Sequence, residues 1–240
     1  MLKGKRVLVS GGTGYIGQAI CETCAEYGAE VYFTWYKNEE KARKMEQSIK
    51  GSTAIRMNVK DVNDITAQVK KLHQDVEAFD ILVNNAGSSQ VMPLPMLEEE
   101  DFDFLVNLNV KGTVFLTKAI VMRMIRKKKG SIVNIGSIAG HRLLDVPVHY
   151  ALTKGAVSGF TSALAVELKR FNIRVNSVVP GLLEDGVARV VPEDGKEDYI
   201  EHCAVSRLGT GKEVAEVVCF FASDRAGYVN GQNIVVDGGI

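Results

Sequence analysis

No uninterrupted apolar run in this 240-residue chain approaches the roughly 20 residues that a membrane span requires. Met1-Leu2-Lys3-Gly4-Lys5-Arg6 leads directly into a strand-like segment with no signal-peptide core behind it. A cytoplasmic address without membrane insertion is therefore expected. Net charge is equally absent. The 29 basic and 29 acidic side chains cancel, so no global field draws the chain to nucleic acid or to an anionic bilayer, and any anionic ligand must be held by local features. Cysteine is scarce: Cys21, Cys24, Cys203 and Cys219 do not make a secreted disulfide framework. Cys21-Glu22-Thr23-Cys24 has the spacing of a redox pair, but it falls inside a helix-like stretch rather than at its start, which favours packing. Repeats, low-complexity tracts and Pro/Ser-rich linkers are missing, as is any histidine with a partner at metal-ligand spacing. A single domain over residues 1–240 follows, and no metal is expected.

What is present is a rhythm. With 46% hydrophobic and 24% charged residues, short β-branched runs at 6–10, 30–35, 54–59, 81–84, 131–135, 174–179 and 233–236 alternate with longer amphipathic stretches. Such alternation predicts right-handed βαβ crossovers and an α/β fold, a doubly wound parallel sheet of about seven strands with helices on both faces. Residues 182–207 interrupt the rhythm through Glu184-Asp185-Gly186 and Pro192-Glu193-Asp194-Gly195. The segment is too long for a tight connection and follows a strand's carboxyl end, so a substrate lid containing a short helix is expected there.

Val7-Leu8-Val9-Ser10 runs into Gly11-Gly12-Thr13-Gly14-Tyr15-Ile16-Gly17 and then a helical pattern. Strand, glycine turn and helix start are the context in which glycines admit a pyrophosphate and free helix N–H groups receive its charge. An NAD-type site places a carboxylate near the end of the second strand, whereas Val31-Tyr32-Phe33-Thr34-Trp35-Tyr36-Lys37-Asn38 has none before Glu39. With that carboxylate missing and Lys37 able to attract a 2′-phosphate, NADPH is expected in preference to NADH. Tyr150 and Lys154 stand one helical turn apart, with Ser137 upstream. A neighbouring ammonium favours the phenolate, so the pair is expected to bring the Tyr150 pKa down toward neutral.

Taken together, these segments resemble the short-chain dehydrogenase/reductase family, most closely its β-ketoacyl-acyl carrier protein reductases. The resemblance rests on Asn84-Asn85-Ala86-Gly87, Asn107-Leu108-Asn109-Val110, Pro180-Gly181, the Ser137, Tyr150, Lys154 series and the terminal Asn230-Gly231-Gln232-Asn233 to Gly239. It implies a Rossmann-like domain in which Tyr150 donates a proton, Ser137 holds the substrate carbonyl, Lys154 contacts the nicotinamide ribose and Asn109 holds a water linking Lys154 to solvent. Its cofactor contacts carry over to Gly11, Thr13, Ile16, Asn58, Val59, Asn85, Ala86, Gly87, Pro180, Gly181 and Leu183, besides Tyr150 and Lys154; strand-end packing is the alternative for the apolar members. It also implies pairing of the long helices around 103–128 and 150–171 across a homodimer, commonly within a homotetramer.

Two positions depart from the family pattern. Tyr15 stands where a member of this length carries a glycine, giving the spacing of longer relatives whose added C-terminal substrate region this chain lacks. Asp185 stands where many members have a threonine facing the nicotinamide carboxamide, and a carboxylate accepts but does not donate. The basic run Arg126-Lys127-Lys128-Lys129 complements a helix dipole and also offers a dock for an acidic acyl carrier protein. His141 and His149 flank the candidate mouth, where a local hydrogen bond is expected for each, while His73 and His202 read as ordinary helix residues. The leading expectation is an NADPH-dependent reductase of a 3-oxoacyl thioester. A dehydrogenase of a free sugar, steroid or polyol and a non-catalytic NADP-binding regulator are the alternatives.

Overall fold

In the computed structural model, which describes residues 1–142 and 146–240, seven parallel strands form one sheet. They are β1 (Arg6–Val9), β2 (Glu30–Trp35), β3 (Ser52–Arg56), β4 (Ile81–Asn84), β5 (Gly130–Ile135), β6 (Ile173–Pro180) and β7 (Asn233–Val236), in the order β3-β2-β1-β4-β5-β6-β7. Parallel neighbours need long crossovers. These are supplied by α1 (Tyr15–Glu26), α2 (Glu39–Ser48), α3 (Val62–Asp75), α4 (Glu99–Leu105), α5 (Gly112–Lys127), α6 (Val148–Leu168), α7 (Glu193–His202) and α8 (Gly211–Ala222). The strand order reverses between β1 and β4, and at such a switch point the carboxyl ends of the strands open a crevice.

The two-residue period of each strand divides the core. Val7 and Val9 pack with Val31, Phe33, Ile20 and Val214 on one face, while Leu8 joins Leu82, Ile132, Leu116 and Ile120 on the other. All seven expected strands are present, with one shifted. The third was placed at 54–59 but pairs over Ser52–Arg56, from Val31↔Ser52 to Trp35↔Arg56. The edge strand stops where β2 stops: the Met57 N–H makes a last bond to the Trp35 carbonyl, and the Asn58 N–H turns to the Asp64 carboxylate. Residues 182–207 hold a 3-10 turn at Gly186–Val190 and α7, in line with the short helix expected there.

Helix Glu99–Lys127, comprising α4, a π-helical segment Val106–Lys111 and α5, corrects one sequence expectation. At 29 residues, with mean hydropathy 1.3 over its most apolar window, it is long and apolar enough to cross a bilayer. Asn107, Asn109, Lys111, Lys118 and Arg123 interrupt it, so no continuous apolar run exists to be seen. Here its apolar residues have another partner, because Leu116, Ile120 and Met124 are buried on the sheet.

Polar ties fix the central strands beneath this helix. Asn84 Nδ2 donates to Asn134 Oδ1 and Thr117 Oγ1, both at 2.8 Å, and Asn134 Nδ2 donates to Thr161 Oγ1 at 2.8 Å. β4, β5, α5 and α6 are thereby held in one register. On the other face α1 packs on α8, with Cys24 Sγ and Cys219 Sγ 3.6 Å apart. Cys21 is buried in the same layer and burial pushes its thiol up, which agrees with packing rather than redox chemistry in the Cys21/Cys24 pair. α8 starts with a capping box, in which Thr210 Oγ1 accepts from the Glu213 N–H and the Glu213 carboxylate accepts from the Thr210 N–H. Thr210→Ala is expected to lower the unfolding free energy by about 1 kcal/mol in urea titrations; an unchanged midpoint and slope would show that the cap contributes nothing.

Candidate active site

The glycine turn begins where β1 ends. Gly11 has φ +65°, and its N–H donates to Thr34 Oγ1 at 3.0 Å while the Gly12 N–H donates to the Thr34 carbonyl at 2.8 Å. At Gly17 a Cβ would collide with the Gly11 carbonyl and stand 2.7 Å from Asn85 Nδ2, so helix and turn approach as only glycine permits. Gly14 caps α1 with no side-chain hydrogen bond, and the first N–H groups of a helix so capped are available to an anion. Asn85 Nδ2 donates to the Ser10 and Gly11 carbonyls, and Ser10 Oγ accepts from the N–H groups of Asn85 and Ala86, each at 3.0 Å. The segment Asn85, Ala86, Gly87 is thus fastened to the turn. Thr13 is half-buried within it, and Ile16 packs against the core around Val7 and Val9.

The remaining expected cofactor residues lie along the same carboxyl edge. Lys37 is exposed just after β2, and the Arg56 guanidinium sits 5.5 Å from the Tyr36 ring centre beside it. Asn58 Oδ1 accepts from its own turn, at Lys60 N, while Val59 is buried. Pro180 closes β6, the Gly181 N–H donates to the Val236 carbonyl at 3.0 Å, and Leu183 is buried. Tyr199 of α7 lies over Gly181, its hydroxyl donating to the Asp237 carbonyl at 2.8 Å.

Ser137, Tyr150, Lys154 and Asn109 converge at the end of β5. The Ser137 side chain lies close enough to Tyr150 to draw its pKa down, and it accepts from the Ala139 N–H at 3.2 Å. Tyr150 and Lys154 are only 8% and 7% exposed; Lys154 Nζ donates to the Ile135 carbonyl at 2.9 Å and lies 5.9 Å from the Tyr150 ring centre. A Cβ on Gly87 would stand 3.1 Å from Asn109 Oδ1 and 3.7 Å from Lys154 Nζ, which places all three together. Asn109 belongs to the π-helical segment, a feature common at functional sites. Its Oδ1 accepts from the Ser88 N–H, and its Nδ2 donates to the Ser88 carbonyl and to Thr153 Oγ1, all at 3.0 Å.

The expected direction of the tyrosine shift is reversed within the chain itself. Burial pushes the Tyr150 phenol above its ordinary value, and the opposing pull comes from Ser137 rather than Lys154. The amine bears the larger effect: burial pushes the Lys154 pKa down to about 8. The histidines divide similarly. His141 Nε2 meets Ser158 Oγ at 2.7 Å as expected, whereas both ring nitrogens of buried His149 lack a partner among the described residues.

The basic run lies elsewhere. α5 ends at Lys127, before β5 begins, so Arg126, Lys127, Lys128 and Lys129 occupy the amino edge of the sheet, with Lys127 Nζ 3.9 Å from the Glu77 carboxylate. Ser137 follows the opposite end of β5, roughly 20 Å away at 3.3 Å per residue. Sequence reasoning missed Ser10, Thr34 and Thr153, whose hydroxyls orient the loop and Asn109; their one signal is a small polar residue at a strand end or one turn from a candidate catalytic residue.

A pH prediction follows from Lys154. Between about pH 8 and its unfolded value near 10.4 the unfolded chain binds the extra proton, so stability rises with pH across that window by roughly 3 kcal/mol. Urea unfolding of wild type and Lys154→Met at pH 7.5 and 10 is expected to show that rise in the wild type and its loss in the variant; parallel pH profiles would place the ammonium in water.

Comparison with known proteins agrees with this geometry. A family model described as enoyl-(acyl carrier protein) reductase matches residues 13–240. The 3-oxoacyl-[acyl-carrier-protein] reductase FabG of Thermotoga maritima is 36% identical, covering 100% of this chain and 98% of the relative, and that of Vibrio harveyi is 33% identical over the same shares. Among solved structures, a 3-oxoacyl-[acyl-carrier protein] reductase from Brucella melitensis superposes with TM-score 0.93 at 29% identity, covering 100% of this chain and 92% of that one. A gluconate 5-dehydrogenase from Burkholderia cenocepacia, in complex with NADP and tartrate, also gives 0.93 at 30% identity, covering 99% and 95%. With the doubly wound sheet, the glycine turn and the Ser137, Tyr150, Lys154 cluster in place, the chain belongs to the short-chain dehydrogenase/reductase family and is an NAD(P)H-dependent oxidoreductase.

Proposed function

We propose that the chain is an NADPH-dependent reductase of a 3-oxoacyl thioester carried on an acyl carrier protein, working in the cytoplasm. The names of its relatives support the substrate class, and the convergence of Ser137, Tyr150 and Lys154 is the observation that carries the reaction. When bound, a nicotinamide cofactor would supply the hydride for the carbonyl carbon. Gly11, Thr13, Ile16, Asn85, Ala86, Gly87, Pro180, Gly181 and Leu183 would hold it along the carboxyl edge, and the uncapped start of α1 suits its pyrophosphate. Tyr150, kept protonated at neutral pH by burial, hands its proton to the developing alkoxide while Ser137 hydrogen-bonds the same oxygen. Lys154, anchored on Ile135, would stabilise with its ammonium charge the phenolate left on Tyr150 as the proton leaves. Lys37 and Arg56, both exposed where a carboxylate would exclude a 2′-phosphate, favour NADPH.

The basic patch fits carrier docking only with a second copy of the chain. It lies on the far edge of the sheet from its own cleft, and exposed Met122 on α5 with Val148, Leu152 and Val166 on α6 offers the apolar faces for a homodimer or homotetramer. Antiparallel pairing of these helices would bring the patch of one copy toward the cleft of the other. A second reading, oxidation or reduction of a free sugar acid, is favoured by the likeness to the gluconate 5-dehydrogenase.

Purified protein assayed with NADPH and NADH against acetoacetyl thioesters, a carrier-bound 3-oxoacyl substrate, a crotonyl thioester and free keto acids separates these readings. The 3-oxoacyl thioesters with NADPH are expected to react best, and Tyr150→Phe to lose about 10²-fold or more in kcat while NADPH binding is retained. Preference for a free keto acid or for the crotonyl thioester would overturn the substrate assignment, and full activity in Tyr150→Phe the catalytic one. Charge reversal at Arg126 and Lys128 is expected to raise KM for the carrier-bound substrate while sparing a small thioester; equal effects on both would remove the docking.

A further inference from the structure

Tyr15 and Asp185, the two departures from the family pattern, are brought to one place. The Tyr15 Cβ lies 3.5 Å from where a Cβ on Gly186 would stand, and the Tyr15 hydroxyl accepts from the Gly211 N–H at 3.1 Å at the start of α8. Rather than filling the phosphate cradle, the ring props the first turn of the lid against the start of α1. Asp185 caps that turn by accepting from the Gly186 N–H at 2.5 Å, and both its oxygens accept from Arg189, Nη2 at 2.7 Å. Arg189 and the Gly186 N–H hold the Asp185 carboxyl below its usual range, and the Lys41 ammonium on α2 adds to their effect. A guanidinium and a carboxylate therefore pair beside the amino end of α1, at the mouth of the dinucleotide crevice, with the Lys41 ammonium of α2 near enough for its charge to be felt. The Arg189 side chain is 76% exposed, so the fold gains little from this ion pair.

We propose that Arg189 is a lid-borne anchor for the pyrophosphate of the dinucleotide, and that Asp185 is an internal substitute anion that holds the guanidinium in place until it is exchanged for phosphate oxygens. A planar fork suited to two carboxylate oxygens is equally suited to two phosphate oxygens. Asp185 alone would repel the pyrophosphate; paired with Arg189 its charge is offset and the cation is held in place. This inference rests on the nicotinamide cofactor of the family and not on the substrate or the choice between NADPH and NADH.

The test is a fluorescence titration of NADPH and of NADH on the full chain at two salt concentrations, for wild type, Arg189→Ala, Arg189→Lys, Asp185→Asn and the double variant Arg189→Ala/Asp185→Asn. Circular dichroism confirms folding, and asparagine retains the capping function. Arg189→Ala is expected to weaken both dinucleotides by about tenfold and to flatten the salt dependence, with Arg189→Lys intermediate. Asp185→Asn is expected to tighten both several-fold by releasing Arg189, and the double variant to fall between the two single changes. Three results would overturn the proposal: Arg189→Ala binding as wild type, loss confined to NADPH (which would make Arg189 a reader of the 2′-phosphate), or Asp185→Asn weakening binding as much as Arg189→Ala.

Discussion

A primary amine buried at the end of a central strand has to be tied to something, and the tie of Lys154 to the Ile135 carbonyl is what the rest of the cleft is arranged around. The bond fixes the first turns of α6 over the end of β5, which sets Tyr150 beside Ser137. It also brings Nζ to Gly87 and Asn109, so the β4–β5 and β5–β6 crossovers meet at one ammonium. The π-helical segment suits this meeting, since a wider turn at Val106–Lys111 lets the Asn109 side chain clamp Ser88 and Thr153 together. Burial sets both protonation states: it keeps the phenol protonated and brings the amine within reach of neutral pH.

The parallel sheet separates two kinds of work by its two edges. At the carboxyl edge, Thr34 ties the glycine turn to the end of β2 while Ser10 and Asn85 tie it to the end of β4, so α1 and the candidate catalytic residues share one base. At the amino edge, positive charge collects at the end of α5, where the helix dipole alone would justify it. The path of the chain thus accounts for why the candidate carrier contacts and Ser137, separated in sequence by little more than β5, stand at opposite edges of the sheet.

Much of this was legible in the residues. Six of seven strands lay where β-branched runs marked them, and the four-residue spacing of Tyr150 and Lys154 did put both on one helix face. The third strand begins two residues before its apolar run, because the strand character of Ser52 and Thr53 comes from the ladder to Val31 and Tyr32. Spacing gave the proximity of phenol and amine but the wrong direction of the tyrosine shift, since desolvation depends on residues from several elements, Leu105 and Ala139 among them. Tyr15 and Asp185 looked like two unrelated anomalies; their nearness depends on how the segment after β6 returns across α1, which no local pattern encodes.

The account stands on a protonated, buried Tyr150, and its ionisation can be read directly. Tyrosinate absorbance at about 295 nm, recorded as wild type minus Tyr150→Phe through alkaline titration of the protein without cofactor, isolates that one phenol. A midpoint above the usual value of about 10 is predicted. A midpoint at or below that value would mean that the amine, not burial, governs the tyrosine, and would contradict the electrostatics described for this cleft.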